Sequence, residues 1–222
     1  VVLKECVVTP EFSTSERGTE LIQKLRLTTA TISEVPASLF KSLADTMNSQ
    51  GVIIIADRPT PDSATEVQHG DLFIYLHEVN DPSNLGAVAR SAEAAGVAGI
   101  FLSPRSADPF SPKALRSGMG SNLRIHIWQD APLAECIEWV KARSVRVVGA
   151  DISGHSSHWT IDWTQPTLVV FGSEAHGLDE GNLQVMDEVF RIPMKNGVES
   201  LNLAVSAGVV LFEAVRQRSN EG

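Results

Sequence analysis

Two rhythms of apolar residues run through this chain. In the first, most of five or six consecutive positions are apolar, as in Gly51–Ala56, Leu72–His77, Gly99–Ser103, Val145–Ala150 and Thr167–Phe171. Such runs predict strands covered on both faces, the burial typical of a parallel sheet. Strands are predicted as well over Leu123–Trp128 and Val189–Pro193. In the second rhythm apolar residues recur every three or four positions. Leu85, Val88, Ala89, Ala92 and Ala95 form such a stripe after the Asp81-Pro82-Ser83 turn, with Gly96 as its stop. Further helices are predicted from the Ser111-Pro112 start, over Pro132–Arg143 and over Leu201–Arg218. From Asp71 onward short strands alternate with helices, which predicts an α/β fold with a mainly parallel sheet flanked by helices.

Residues 1–57 read differently. A strand over Val1–Val8, a helix over Ser15–Leu25, a turn, a helix over Pro36–Asn48 and a strand over Gly51–Ala56 make a small α/β unit. No upstream helix covers its first strand, so the unit reads as incomplete and the chain as a fragment or shortened variant. Segment 58–70, with Pro59 and Pro61 among small polar residues, predicts a linker. Residues 71–222 form the second domain.

Three polar blocks follow strand-like runs in that domain: Asn84-x-Gly86-x-x-x-Arg90, Phe171-Gly172-Ser173-Glu174-x-x-Gly177, and Ile192-Pro193-Met194 followed by Ser200-Leu201-Asn202. The carboxyl ends of parallel strands are where α/β folds place ligands. Taken alone, the first block also reads as a helix cap, a packing glycine and a surface charge. Arg90, however, lies two turns into a helix of small residues and requires a carboxylate, carbonyl cluster or phosphate. In the second block glycine lets the backbone approach a ligand and leaves Glu174 at the sheet edge. In the third, Ile192 and Leu201 suit the two sides of an aromatic base. Ser200, the expected N-cap of the last helix, and Asn202 offer hydrogen bonds.

Other signatures are missing. Gly118-Met119-Gly120 lacks a third glycine and precedes a strand, which excludes a dinucleotide fingerprint, and Gly172–Gly177 has no Lys-Ser/Thr after it. No Gly-x-Ser-x-Gly elbow occurs. His155 and His158 have no third ligand in register, Trp159 and Trp163 read as packing residues, and Cys6 and Cys136 belong to no Cys-x-x-Cys pair, so no metal site is expected. The apolar runs are too short to span a membrane and the first residues lack a secretory pattern, so the chain reads as cytoplasmic. Its net charge of −9 argues against diffuse attraction to nucleic acid. One local exception stands out: between positions 105 and 124, Arg105, Lys113, Arg116 and Arg124 face only Asp108, making them the candidate RNA phosphate contacts.

Together the three blocks resemble the signature motifs of the SpoU/TrmH branch of the SPOUT methyltransferases, a likeness covering Asp71 to Arg218. The resemblance implies a C-terminal trefoil knot, a homodimer and S-adenosylmethionine as cofactor. It places Gly172, Ile192, Met194 and Leu201 on the cofactor, and Asn84, Arg90, Glu174, Ser200 and Asn202 at the reaction site. Residues 1–57 are more loosely similar to the ribosomal-protein-L30e-like RNA-binding domain of the ribosomal RNA members. The expectation is 2′-O-methylation of a ribose in ribosomal RNA, with Arg90 gripping a phosphate and steadying the alkoxide. Two alternatives stay open: a transfer RNA methyltransferase of the same family, and a catalytically silent RNA-binding protein of the same fold.

Overall fold

The computed structural model describes residues 1–44, 46, 48–61, 67, 68 and 71–219, and the chain divides into two compact units, Val1–Pro59 and Thr60–Gly222. Asp45 and Met47 of the expected helix, and residues 62–66, 69 and 70 of the expected linker, lie outside the described residues.

In the first unit, β1 (Leu3–Val8) is the middle strand of three, with β2 (Thr31–Glu34) parallel on one side and β3 (Val52–Ala56) antiparallel on the other. Cys6 and Val8 pack with Phe12 and Leu25, from α1 (Pro10–Thr14) and α2 (Glu16–Leu25), into a small core. Ser15 caps α2 by accepting from Gly18 N–H at 3.0 Å. Three expectations are corrected here. The turn before Pro36 contains β2, whose Thr-Ile-Ser-Glu alternation pairs with β1. A separate helix, α1, precedes Ser15. The helix expected to reach Asn48 is α3 (Ala37–Leu43), closed by Ala44 in extended conformation.

The second unit is built on seven parallel strands in the order β6-β5-β4-β9-β7-β10-β8. These are β4 (Leu72–Leu76), β5 (Gly99–Leu102), β6 (His126–Trp128), β7 (Arg146–Ala150), β8 (Ser156–Ser157), β9 (Thr167–Phe171) and β10 (Glu188–Arg191). Alternation explains the uninterrupted apolar runs: Leu72, Ile74 and Leu76 enter one core, and Phe73 and Tyr75 the other. The first core is closed by α4 (Pro82–Ala94) and α8 (Leu203–Ser219), which also pack against each other. The second is closed by α6 (Leu133–Lys141), where Phe73 meets Trp139 edge-on at 5.8 Å. Trp163 is fully buried and its indole N–H donates to His158 O at 2.7 Å, whereas Trp159 is half exposed and packs edge-on against the His158 ring at 4.8 Å.

Gly86 has a packing role. A Cβ there would stand 2.2 Å from Ala114 O and 2.0 Å from Ser117 Oγ, both on α5 (Pro112–Ser117), so two helices meet where only glycine fits. The strand expected from Leu123 begins at His126, because Ser121–Leu123 closes into a 3-10 turn. β8 and the short helix α7 (Glu180–Gln184) were not anticipated; two and five residues are too few for a periodic signal.

Candidate active site

The strands deliver the second and third blocks to one edge of the sheet, and α4, entered after β4, brings Asn84 to it. A cleft of about 820 Å³ lies there, lined by Asn84, Gly172, Ser173, Glu174, Ile192, Met194, Ser200, Leu201 and Asn202 among others. That size falls within the ~300–1,000 Å³ range of small-molecule sites. Gly172 follows β9 and starts a tight turn closed by paired backbone bonds between Ser173 and Gly177, 3.1 and 3.0 Å. A Cβ on Gly172 would stand 2.1 Å from the carbonyl carbon of Gly177. Its glycine is therefore required by the turn itself, and Gly172→Val would disrupt the wall rather than merely fill the cleft.

A directed line of hydrogen bonds joins the three blocks. Asn202, not the expected Ser200, caps α8: its Oδ1 accepts from Ala204 N–H at 2.9 Å. Its Nδ2 donates to Asn84 Oδ1 at 2.9 Å, and Asn84 Nδ2 donates to Glu174 Oε1 at 2.9 Å. Asn80 N–H donates to the other Glu174 oxygen at 3.3 Å. Asn84 is free for this because Asp81 caps α4, accepting from Ser83 N–H at 2.9 Å. Glu174 is thus oriented by donors on both oxygens while remaining exposed to the cleft.

Arg90 is not brought into this cleft. It is exposed on α4 and, among the described residues, makes no hydrogen bond or ion pair within its own chain. Water can solvate the guanidinium there, so within one chain the expected need for a carboxylate, carbonyl cluster or phosphate does not arise.

The basic segment is less positive in space than along the sequence. Arg105 pairs with Glu78, Lys113 Nζ lies 2.8 Å from Asp81 Oδ1, and Arg124 Nη2 donates to Glu93 Oε2 at 2.8 Å. Arg116 lies on α5 between them. The Arg124 guanidinium, aided by Ser121, pulls the Glu93 carboxyl down to about 2, and the Lys113 bond, with Ser83 N–H, lowers that of Asp81. Counting charge along the sequence missed these acids because they come from β4–α4, across the fold.

Sequence reasoning also missed Asp151, His176, Arg191 and Glu199, which line the same cleft. Asp151 was within reach of the rule that carboxyl ends of parallel strands bear ligand groups, since it directly follows β7.

The family model described as the SpoU rRNA Methylase family matches residues 71–212. A 23S rRNA (uridine(2479)-2'-O)-methyltransferase from Streptomyces viridochromogenes is 33% identical over 173 residues, covering 75% of this chain and 60% of that protein. The SpoU methyltransferase AviRb from Streptomyces viridochromogenes, in complex with the cofactor AdoMet, superposes with a TM-score of 0.87 at 29% identity. It covers 98% of this chain and 83% of that chain. The A. aeolicus TrmH/SpoU tRNA modifying enzyme gives a TM-score of 0.62 at 29% identity, covering 71% of this chain and 80% of that one.

Proposed function

This chain belongs to the SpoU rRNA methylase family and is an S-adenosylmethionine-dependent RNA methyltransferase, and from that premise we propose that it methylates a ribose 2′-hydroxyl of ribosomal RNA as a homodimer. The observation that carries the site is the line Asn202–Asn84–Glu174, which ties all three sequence blocks to one cleft. A ribosomal target is favoured over transfer RNA by coverage: the similarity to an AdoMet-bound rRNA methyltransferase from Sinorhizobium meliloti covers 96% of this chain, whereas the tRNA enzyme matches 71%. The first unit serves, on this reading, as an L30e-like RNA-binding domain.

The residues present fit the cofactor. Ile192, Met194 and Leu201 offer apolar walls for adenine, and Glu174 and Glu199 offer negative charge to a sulfonium. When bound, S-adenosylmethionine supplies the electrophilic methyl group. The chain's own contribution is positioning and charge stabilisation. Asn84 and Asn202 hold Glu174 in one orientation at the reacting end, and Ser200 offers a hydroxyl in the same cleft. A guanidinium offers only donors, so Arg90 binds the substrate phosphate and steadies the oxygen that loses its proton; Glu174 or water takes that proton.

A second copy gives Arg90 its place. The outer face of α8 presents Val205 and Phe212, each about half exposed, and Gly208, where a Cβ would meet nothing within 4 Å. A face this apolar and this open suits a helix of another subunit, which would carry Arg90 to the partner's cleft. Arg105, Lys113 and Arg124 then hold RNA by exchanging their carboxylate partners for phosphates, with Arg116 on α5 beside them. The C-terminal blocks thread, in this reading, into the knot of the family.

Incubation with labelled S-adenosylmethionine followed by mapping of 2′-O-methylation across ribosomal and transfer RNA tests the reading. A methylated ribosomal ribose is expected; label confined to transfer RNA would overturn the choice of substrate. Light scattering tests the dimer, which a mass of one chain, 23.9 kDa, at micromolar concentration would refute.

A further inference from the structure

The cleft floor carries one carboxylate that the proposed chemistry does not use. Asp151 is the first residue after β7, and β7 lies between β9 and β10. Ala150 pairs with Phe171 on one side and Phe190 on the other, and Asp151 N–H donates to Phe190 O at 2.9 Å. The side chain is half committed. Oδ1 accepts from Ser153 N–H at 2.9 Å and from Ser153 Oγ at 2.7 Å. Oδ2 faces the turn that follows β9, 3.5 Å from where a Cβ on Gly177 would lie. Among the described residues it has no donor, although the residue lines the cleft.

We infer that Asp151 binds the ribose hydroxyls of the cofactor, an assignment that rests on reading the cleft as the S-adenosylmethionine site. The lateral order of the strands carries it. Across the sheet edge stand Glu174 after β9, Asp151 after β7 and Ile192 after β10, at successive spacings of about 4.8 Å. Within the cofactor the order is sulfonium, ribose, adenine. With the reacting end at Glu174 and the base at Ile192, the sugar falls over Asp151. A diol supplies two O–H donors to a carboxylate whose one oxygen is fixed and whose other is open. Gly177, at φ +66°, keeps the facing wall free of a side chain where the sugar must fit.

Calorimetry with two ligands tests this: S-adenosylhomocysteine, and its analogue lacking both ribose hydroxyls. The wild-type protein should prefer the hydroxylated ligand by on the order of tenfold to a hundredfold, as expected of hydrogen bonds to a charged group. Asp151→Ala should bind both equally weakly. Should Asp151→Ala not fold, Asp151→Asn keeps an acceptor for Ser153 and should lose most of the preference. A wild-type protein without the preference, or a folded variant that retains it, overturns the assignment, and in the second case an equal loss for both ligands points to the α-ammonium group instead. Leu201→Asp separates the two levels of argument, since Leu201 is 37% exposed and tolerates the change. If that variant binds S-adenosylhomocysteine as wild type does, the cleft reading falls together with the inference. If it loses binding while Asp151→Ala keeps the preference, only the role of Asp151 falls.

Discussion

Val52-Ile53-Ile54-Ile55-Ala56 and Leu72-Phe73-Ile74-Tyr75-Leu76 are both uninterrupted apolar runs, and both form strands, yet their fates differ. Every residue of the second is buried, because β5 and β9 flank it and helices cover both faces of its sheet. The first is an edge strand in its three-stranded sheet, where Ile54 and Ile55 are 46% and 49% exposed. An apolar run thus specifies a strand, while the neighbours supplied by the rest of the chain decide whether it is a core. Function follows the same division: the described cleft is built on ends of the fully covered sheet, whose rigidity can hold side chains to reacting geometry.

The same isoleucine-to-alanine change should have unequal consequences in the two strands. Ile74→Ala should cost about 2–5 kcal/mol through lost burial and a cavity. Tryptophan fluorescence during urea unfolding reads this cleanly, since all four tryptophans lie in the second unit. Next comes Arg90→Ala, which removes an exposed side chain of that well-packed unit. It should leave the unfolding midpoint in place yet lower single-turnover methyl transfer on the order of a hundredfold or more, with cofactor affinity unmoved. A near-normal rate at saturating RNA would sink the catalytic role. Joint replacement of Lys113 and Arg116 by alanine should weaken RNA binding severalfold and flatten its salt dependence, with the turnover of bound RNA intact. Ile54→Ala, the partner of the first experiment, should change the thermal midpoint of the first unit little, with a cost under about 1 kcal/mol by circular dichroism. The smallest effect concerns Glu93. Its folded pKa of about 2 lies below the ordinary 4.5, so its stabilisation is complete above pH 4.5 and disappears as pH falls through about 2. The stability difference between wild type and Glu93→Gln should therefore close over that interval and stay constant above it.

Much of the second unit was legible because its strands are covered twice and its helices carry clear stripes. Pro112 and Ser111 marked the start of α5, and Ser111 Oγ does accept from Ala114 N–H. What escaped the sequence depended on distant partners. β2 is a strand because β1 lies beside it. Asn202 rather than Ser200 caps α8, a choice between two competent residues two positions apart. The cleft residues named from the three blocks line one cavity, apart from Arg90, whose exposure only the fold discloses. Asp151 went unnoticed because a single acid after a strand carries no motif.

The line from α8 to Glu174 also imposes a rule of spelling. Each middle link must receive a proton on one atom and give one from another, so a link needs an acceptor and a donor on the same short side chain. Asparagine meets that grammar; aspartate, nearly identical in shape, offers acceptors only. Asn202→Asp would still cap the helix but would set oxygen against Asn84 Oδ1, and Asn84→Asp would satisfy Asn202 while facing Glu174 with like charge. The two amides therefore read in one direction only, and a change of one atom at either position reverses the message before it reaches the carboxylate.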